Sequence, residues 1–118
     1  MKTIGIIGTR KRNKQSDLNA IKDAFVEVYE DGDQIVSGGC SQGGDHFAEV
    51  LARARQIPIK IYYAEWAKFG RSAGFQRNGL IAADSDILIA CVAPDRSGGT
   101  EDTIRKFLIL GKTKLILV

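Results

Sequence analysis

Histidine and cysteine are nearly missing from this chain, with one His and two Cys in 118 residues. His46 alone cannot furnish the ligands of a zinc site. Cys40 and Cys91 stand in unlike settings, one in a glycine-rich loop and one in an apolar run, so neither a disulfide framework nor a metal site is indicated. No metal and no cofactor is expected. No apolar run approaches the ~20 residues that a membrane-spanning helix needs, and MKTIGIIGTRKRN at the N-terminus has too short an apolar stretch for a secretory signal with its cleavage site. The expectation is a cytoplasmic protein with no membrane partner. Internal repeats, low-complexity tracts and linkers are also missing, and the length suits one domain over 1–118. Net charge is +3 and the pI about 9.0, without the long basic runs mixed with aromatics that mark a dedicated nucleic-acid surface.

What is present is a repeated change of hydrophobic period. TIGIIG (3–8) reads as a strand, followed by a helix capped by Ser16 in which Leu18, Ile21, Phe25 and Val28 share a face. QIVSGG (34–39) is a second strand, followed by a helix with Phe47, Val50, Leu51 and Ala54 at i, i+3, i+4 and i+7. PIKIYY (58–63) is a third. After the long connection AEWAKFGRSAG comes a helix with Phe75, Gly79, Ala82 and Ala83 inward. ILIACVA (87–93) is apolar throughout, as suits a strand buried on both faces. A last helix carries Ile104, Phe107 and Leu108, and KLILV is a fifth strand. Five strands alternating with four helices predict an α/β three-layer Rossmann-like fold: a mostly parallel five-stranded sheet with helices on both faces.

In such sheets ligands bind beyond the carboxyl ends of the strands. That rule singles out GTRKRN, SGGCSQGGD, AEWAKFGRSAGFQRN and PDRSGGT. Glycine at the density of SGGCSQGGD is costly, and it is tolerated where backbone must take positive φ or be approached closely. Glycine-bearing segments end the first, second and fourth strands, and two of them open helices whose first N–H groups have no intrahelical acceptor. With Arg10 or Arg77 beside them, such ends are suited to a phosphate or ribose phosphate. The group expected to approach the glycines is therefore a phosphate. Arg10, Lys11, Arg12 and Lys14 make a local positive field that reads equally well as a solvated loop. There is no G-x-G-x-x-G and no Walker sequence, and the second strand ends in Ser37-Gly38 without an acidic ribose clamp. A hydride-transfer dehydrogenase and a P-loop NTPase are thus disfavoured.

GTR (8–10), SGGCSQGGDHFAEVLA (37–52), AEWAKFGRSAGFQRN (64–78) and GGT (98–100) together resemble the SLOG superfamily, the group containing the DprA/SMF and LOG proteins, and within it the small YspA-like branch. That branch is typified by a G-S-R start, a G-G-x-x-x-G-x-D loop, a W-x-x-x-G-x-x-A-G-x-x-R-N segment and a terminal G-G-T. The resemblance spans nearly the whole chain, and the W…G…AG…RN string is its specific part. It implies a Rossmann-like fold that binds a nucleotide or nucleotide-derived ligand, and homo-oligomers with sites near the subunit boundary. LOG-type phosphoribohydrolases, which release the base from nucleoside monophosphates, are similar in having an upstream arginine and a P-G-G-x-G-T-x-x-E loop. Arg77 matches the arginine. The glutamate position is Thr103 here, and the acids at hand are Glu101 and Asp102, turned away by about 100° per residue. DprA-like members bind single-stranded DNA, which is not favoured because no stacking platform stands beside the basic loop.

The expected ligand site has Gly8, Thr9, Arg10, Gly38, Gly39, Gly43 and Asp45 as one half and Arg77, Asn78, Gly98, Gly99 and Thr100 as the other. A hydrolase would use Arg77 with Glu101 or Asp102. Asp45 either holds ribose hydroxyls or caps the helix beginning near Gly43, or does both. Trp66 reads as a packing anchor of the long connection, Cys40 as a small residue fitting a tight loop, and Cys91 as core. A homo-oligomer is expected, with AEWAKFGRSAG close to the interface and Arg71 within reach of a neighbouring site.

Overall fold

The β-branched run TIGIIG forms strand β1 (Thr3–Gly8), and the continuously apolar ILIAC forms β4 (Ile87–Cys91), every residue of which is buried. β2 (Gln34–Ser37), β3 (Ile59–Ile61) and β5 (Leu115–Leu117) complete one sheet in the order β3-β2-β1-β4-β5, in a computed structural model that describes residues 1–118. Every neighbouring pair is parallel, with Ile4 opposite Ile35 and Ile87 in the registers of β1 with β2 and β4. The helices are α1 (Gln15–Val28), α2 (Gly44–Arg55), the short α3 (Trp66–Phe69), α4 (Ala73–Asp84) and α5 (Gly99–Ile109), with a single 3-10 turn over Gly70–Ser72. None is long and apolar enough to cross a membrane.

The pleat divides the core in two. Ile4, Ile6, Ile35, Ile89 and Cys91 face α1 and α2, where they meet Ile21, Phe25, Phe47 and Leu51. Ile7, Val36, Leu88 and Ala90 face the other way, against Ile81 and Ala82 of α4 and Ile104 and Phe107 of α5. Phe25 and Phe107 are wholly buried, one in each layer. Truncating either to alanine costs about 3–5 kcal/mol. The fold is thus the three-layer α/β sandwich expected from the alternation of strands and helices, with an all-parallel sheet.

Several local expectations are corrected. Ser16 does not cap α1: the helix starts two residues earlier than that cap implies, with Lys14 in the N-cap position, and Asp17 secures the turn by accepting the Lys14 N–H at 3.1 Å and Arg12 Nε at 2.9 Å. In α4 the inward residues are Ala73, Asn78, Ile81 and Ala82, while Phe75 is 57% exposed and Ala83 faces out. The helix begins at Ala73 and its phase is set by two apolar sides, the sheet and α5. Ala54 of α2 and Leu108 of α5 are likewise exposed. The long connection is partly helical, containing α3 and the 3-10 turn.

The chain runs outward from β1 to β2 and β3, then crosses back to β4 on the other side of β1. Connections leaving the carboxyl ends of β1 and β4 therefore diverge to opposite faces, which opens a crevice between them.

Candidate functional site

That crevice is a cleft of about 320 Å³ walled by the loop after β1 (Gly8, Thr9, Arg10, Lys11), the loop after β4 with the start of α5 (Ser97 to Thr100, Thr103), Asp45 and Cys40 from the β2–α2 junction, and Arg77, Asn78 and Ile81 of α4. Four segments far apart in sequence meet there. Of the expected site residues, Gly8, Thr9, Arg10, Asp45, Arg77, Asn78, Gly98, Gly99 and Thr100 line it. Gly38 and Gly39 line an adjoining hollow of about 440 Å³ that shares Arg10, Cys40 and Arg77 with the cleft.

Gly43 lies elsewhere. It occupies the N-cap of α2 at φ 75°, donates its N–H to Asn13 Oδ1 at 2.8 Å, and any Cβ on it would run into the Thr9 carbonyl. Gly44 beside it packs on the backbone of Ile7 and Gly8 so closely that no side chain fits. What approaches these two glycines is the protein's own first strand and loop, not a ligand. The α2 N-terminus is thereby drawn against β1.

The α5 N-terminus is open. Gly98, at φ 100°, turns the chain into the helix without a side-chain cap, and the N–H groups of Gly98, Gly99 and Thr100 have no acceptor within the protein. With the positive end of the helix dipole, they present donors to the cleft. Arg77 and Asn78 hold this terminus in place. Arg77 Nη1 donates to the Gly38 carbonyl at 3.0 Å and its Nε to Asn78 Oδ1 at 3.0 Å. Asn78 Nδ2 in turn donates to the Gly99 carbonyl at 3.3 Å and to Asp102 Oδ2 at 3.2 Å. A single chain of bonds thus runs from the β2 loop through α4 to α5.

Cation placement differs from the reading of the sequence. Arg12 is consumed by structure, bonding Asp17, the Val92 carbonyl at 3.1 Å and the Val118 carbonyl. Lys11 stands 3.9 Å from Asp95. Arg10, exposed at the cleft mouth, has neither a carboxylate partner nor a hydrogen bond. The basic cluster is therefore not one continuous patch.

Asp45 is the one carboxylate that lines the cleft. It does not cap α2; Oδ2 accepts the Cys40 N–H at 3.2 Å and Oδ1 lies 3.2 Å from Ser37 Oγ. Burial pushes its carboxyl up, against the opposing pull of the Cys40 N–H, Arg77 and Ser37. Ser37 Oγ stands within donor reach of both the Ile6 carbonyl at 2.5 Å and Asp45 Oδ1 at 3.2 Å, so its single proton is shared between two acceptors.

Glu101 and Asp102 are engaged away from the cleft. Glu101 accepts two bonds of 2.9 Å from Arg96, and buried Asp102 is bound by Asn78, Lys106 at 2.8 Å and Arg105. Beyond Thr100, Thr103 is the α5 residue that lines the cleft. Trp66 is no packing anchor: it is 63% exposed. Lys11, named in the sequence only as part of the basic cluster, and Thr103, named only as the residue in place of a glutamate, both line the cleft. Asn13, Ser37 and Ser97 were missed from the sequence, of which Ser97 could have been found from its place in PDRSGGT, whereas Ser37 and Asn13 act through partners eight and thirty residues away. No His, Cys, Asp and Glu side chains gather into a group that could hold a metal ion. Comparison of the chain with protein families, with characterised proteins and with solved structures finds no match.

Proposed function

We propose that this protein binds a nucleotide or nucleotide-derived ligand, with its phosphate in the cleft between β1 and β4. The observation that carries this reading is the convergence on one cleft of the unbonded N–H groups at the start of α5 and of Arg10, a guanidinium with no acidic partner. Donors arranged in this way around a helix N-terminus, with a free cation beside them, suit a phosphate monoester. Asp45 stands across the same cleft, where it can meet ribose hydroxyls. The resemblance to the YspA-like branch of the SLOG superfamily supports the same ligand class, and membership of that group is part of the proposal.

Hydrolysis of the glycosidic bond has less support. The position that carries glutamate in LOG-type hydrolases is Thr103, and it faces the cleft, while Glu101 and Asp102 are held by Arg96, Arg105 and Lys106. An oxocarbenium-like centre in the cleft would find Asp45 as its only carboxylate, one whose charged form burial disfavours. Single-stranded DNA binding through residues 10 to 14 is weakened by the commitment of Arg12 to Asp17, although, against the expectation from the sequence, the exposed rings of Tyr63 and Trp66 do stand beside Arg10.

Thermal denaturation with AMP, ADP-ribose and ribose 5-phosphate tests the reading. Each should raise the melting temperature, because a ligand that binds only the folded chain stabilises it by mass action. A flat response across the panel at concentrations of order millimolar removes the proposal. Release of free base from AMP, if seen and retained in the Glu101→Ala/Asp102→Ala variant, would point to Asp45 instead.

A further inference from the structure

We infer that the hollow beside the cleft, under Tyr63 and Trp66, takes the aromatic base of the ligand; this rests on the phosphate reading above and adds the part of the ligand that gives it preference. After β3 the chain passes through two adjacent tyrosines used in opposite ways. Tyr62 is half-buried and donates its hydroxyl to Asp84 at 3.1 Å, with Lys60 Nζ 4.7 Å from its ring centre. Tyr63 is 66% exposed and its hydroxyl has no partner in the protein. Trp66 follows at 63% exposed, with its indole N–H also unbonded.

Both rings are nonetheless positioned. Gly39, at φ 84°, lies so near Tyr63 that a Cβ there would stand 2.6 Å from the ring, and a Cβ on Gly74 would come within 3.8 Å of Trp66. Backbone at Gly39 thus sets where the Tyr63 ring sits, Trp66 lies in ordinary contact distance of Gly74, and most of each ring is left uncovered. The hollow they flank shares Arg10 and Arg77 with the phosphate cleft. Two guanidiniums therefore stand between a recess flanked by two aromatic rings and a set of backbone donors, which matches a ligand with an aromatic group at one end and a phosphate at the other. Stacking of a base on such rings tolerates any base, because every base has a π-face, and the Arg77 guanidinium adds a cation for the same ring system. Tryptophan and tyrosine suit this use because each offers a large rigid face with one polar handle. A docking site for another protein is less well matched: the recess opens onto a cleft of fixed donors, and its floor is glycine backbone.

Trp66 is the single tryptophan of the chain, so its fluorescence reports on the hollow alone. AMP and ribose 5-phosphate are titrated into the full chain while Trp66 emission and melting temperature are both followed. AMP is expected to quench the emission and to bind more tightly than ribose 5-phosphate, which raises the melting temperature and leaves the emission unchanged. In Trp66→Ala, AMP affinity should fall by roughly five- to a hundredfold, toward that of ribose 5-phosphate. Tyr63→Ala should lower it in the same direction. Equal affinity of the two ligands for the parent chain, or AMP affinity untouched in Trp66→Ala, overturns the base site while leaving the phosphate reading standing. Emission that changes with protein concentration and not with AMP assigns the hollow to a second copy of the chain and also overturns it. No melting shift with either ligand removes both readings.

Discussion

Asp45 and Arg77 face each other across a single glycine: a Cβ on Gly38 would stand 2.6 Å from Asp45 Oδ2 and 2.8 Å from Arg77 Nη1. A carboxyl from the start of α2 and a guanidinium from the middle of α4 are thus brought to one point by a residue without a side chain. The absence of that side chain also lets Arg77 reach the Gly38 carbonyl.

Gly38→Ala should therefore damage both stability and binding. The added methyl must displace Asp45 and Arg77, or the β2 loop itself, and overpacking of this kind costs about 1–3 kcal/mol. A lowered melting temperature together with a lost response to AMP is the expected result. Unchanged melting would show that Arg77 swings away freely and that its bond to Gly38 is dispensable.

Arg10→Ala separates binding from folding. Its side chain is exposed and makes no bond, so stability should stay within about 0.5 kcal/mol of the parent. Loss of a charge-assisted bond to phosphate is worth ~1.5–3 kcal/mol, about a ten- to a hundredfold drop in affinity for ribose 5-phosphate by calorimetry. Undiminished affinity would place the phosphate elsewhere.

Asp45 and Asp33 predict opposite pH responses. Burial raises the Asp45 carboxyl above its ordinary range, so its favourable protonated form is lost as pH climbs from the unfolded value through the folded one. Asp45→Asn should gain on the parent chain in melting temperature as pH rises above about 4, the ordinary carboxyl value. A difference that does not vary with pH would mean that Asp45 ionises in the folded chain as it does unfolded.

At Asp33, burial acts upward but is outweighed by bonds from Lys2 Nζ at 2.6 Å, the Lys2 N–H at 2.8 Å and the Glu30 N–H at 2.9 Å, leaving the carboxyl at about 2. A depressed acid stabilises the fold above its unfolded pKa and loses that contribution as pH falls through the folded value. The stabilisation amounts to about 2 kcal/mol at neutral pH. Asp33→Asn should lower melting at pH 7 and make the decline below about pH 4 shallower than in the parent. An unaltered acid limb in the variant would assign that decline to other carboxylates.

Self-association is expected through the outer side of α5 and its end, where Leu108, Ile109 and Leu110 are 48%, 75% and 54% exposed, with Phe75 of α4 at 57%. A symmetric contact lets such a patch cover itself with its own copy. Light scattering should give twice the chain mass, returning to the monomer in Ile109→Lys. A monomer mass for the parent chain, with and without AMP, would defeat it.

Sequence by itself determined the layers and the edge at which to look. Period-2 and period-3.6 patterns are local, and a strand such as ILIAC, apolar at every position, has few environments open to it besides the centre of a covered parallel sheet. The loops GTRKRN, SGGCSQGGD and PDRSGGT follow from that placement. What each residue in those loops does was decided by contacts between distant segments. Gly43 meets Thr9 and Arg77 meets Gly38, a partner 39 positions away. No periodicity records such pairs. Glu101 and Thr103 are two residues apart on one helix, and only the roll of α5 against α4 turns the threonine toward the cleft and leaves the glutamate to Arg96. Trp66 shows the same limit, since an aromatic in a long connection has the composition of a core anchor and becomes an open surface only when nothing else in the fold is placed to cover it.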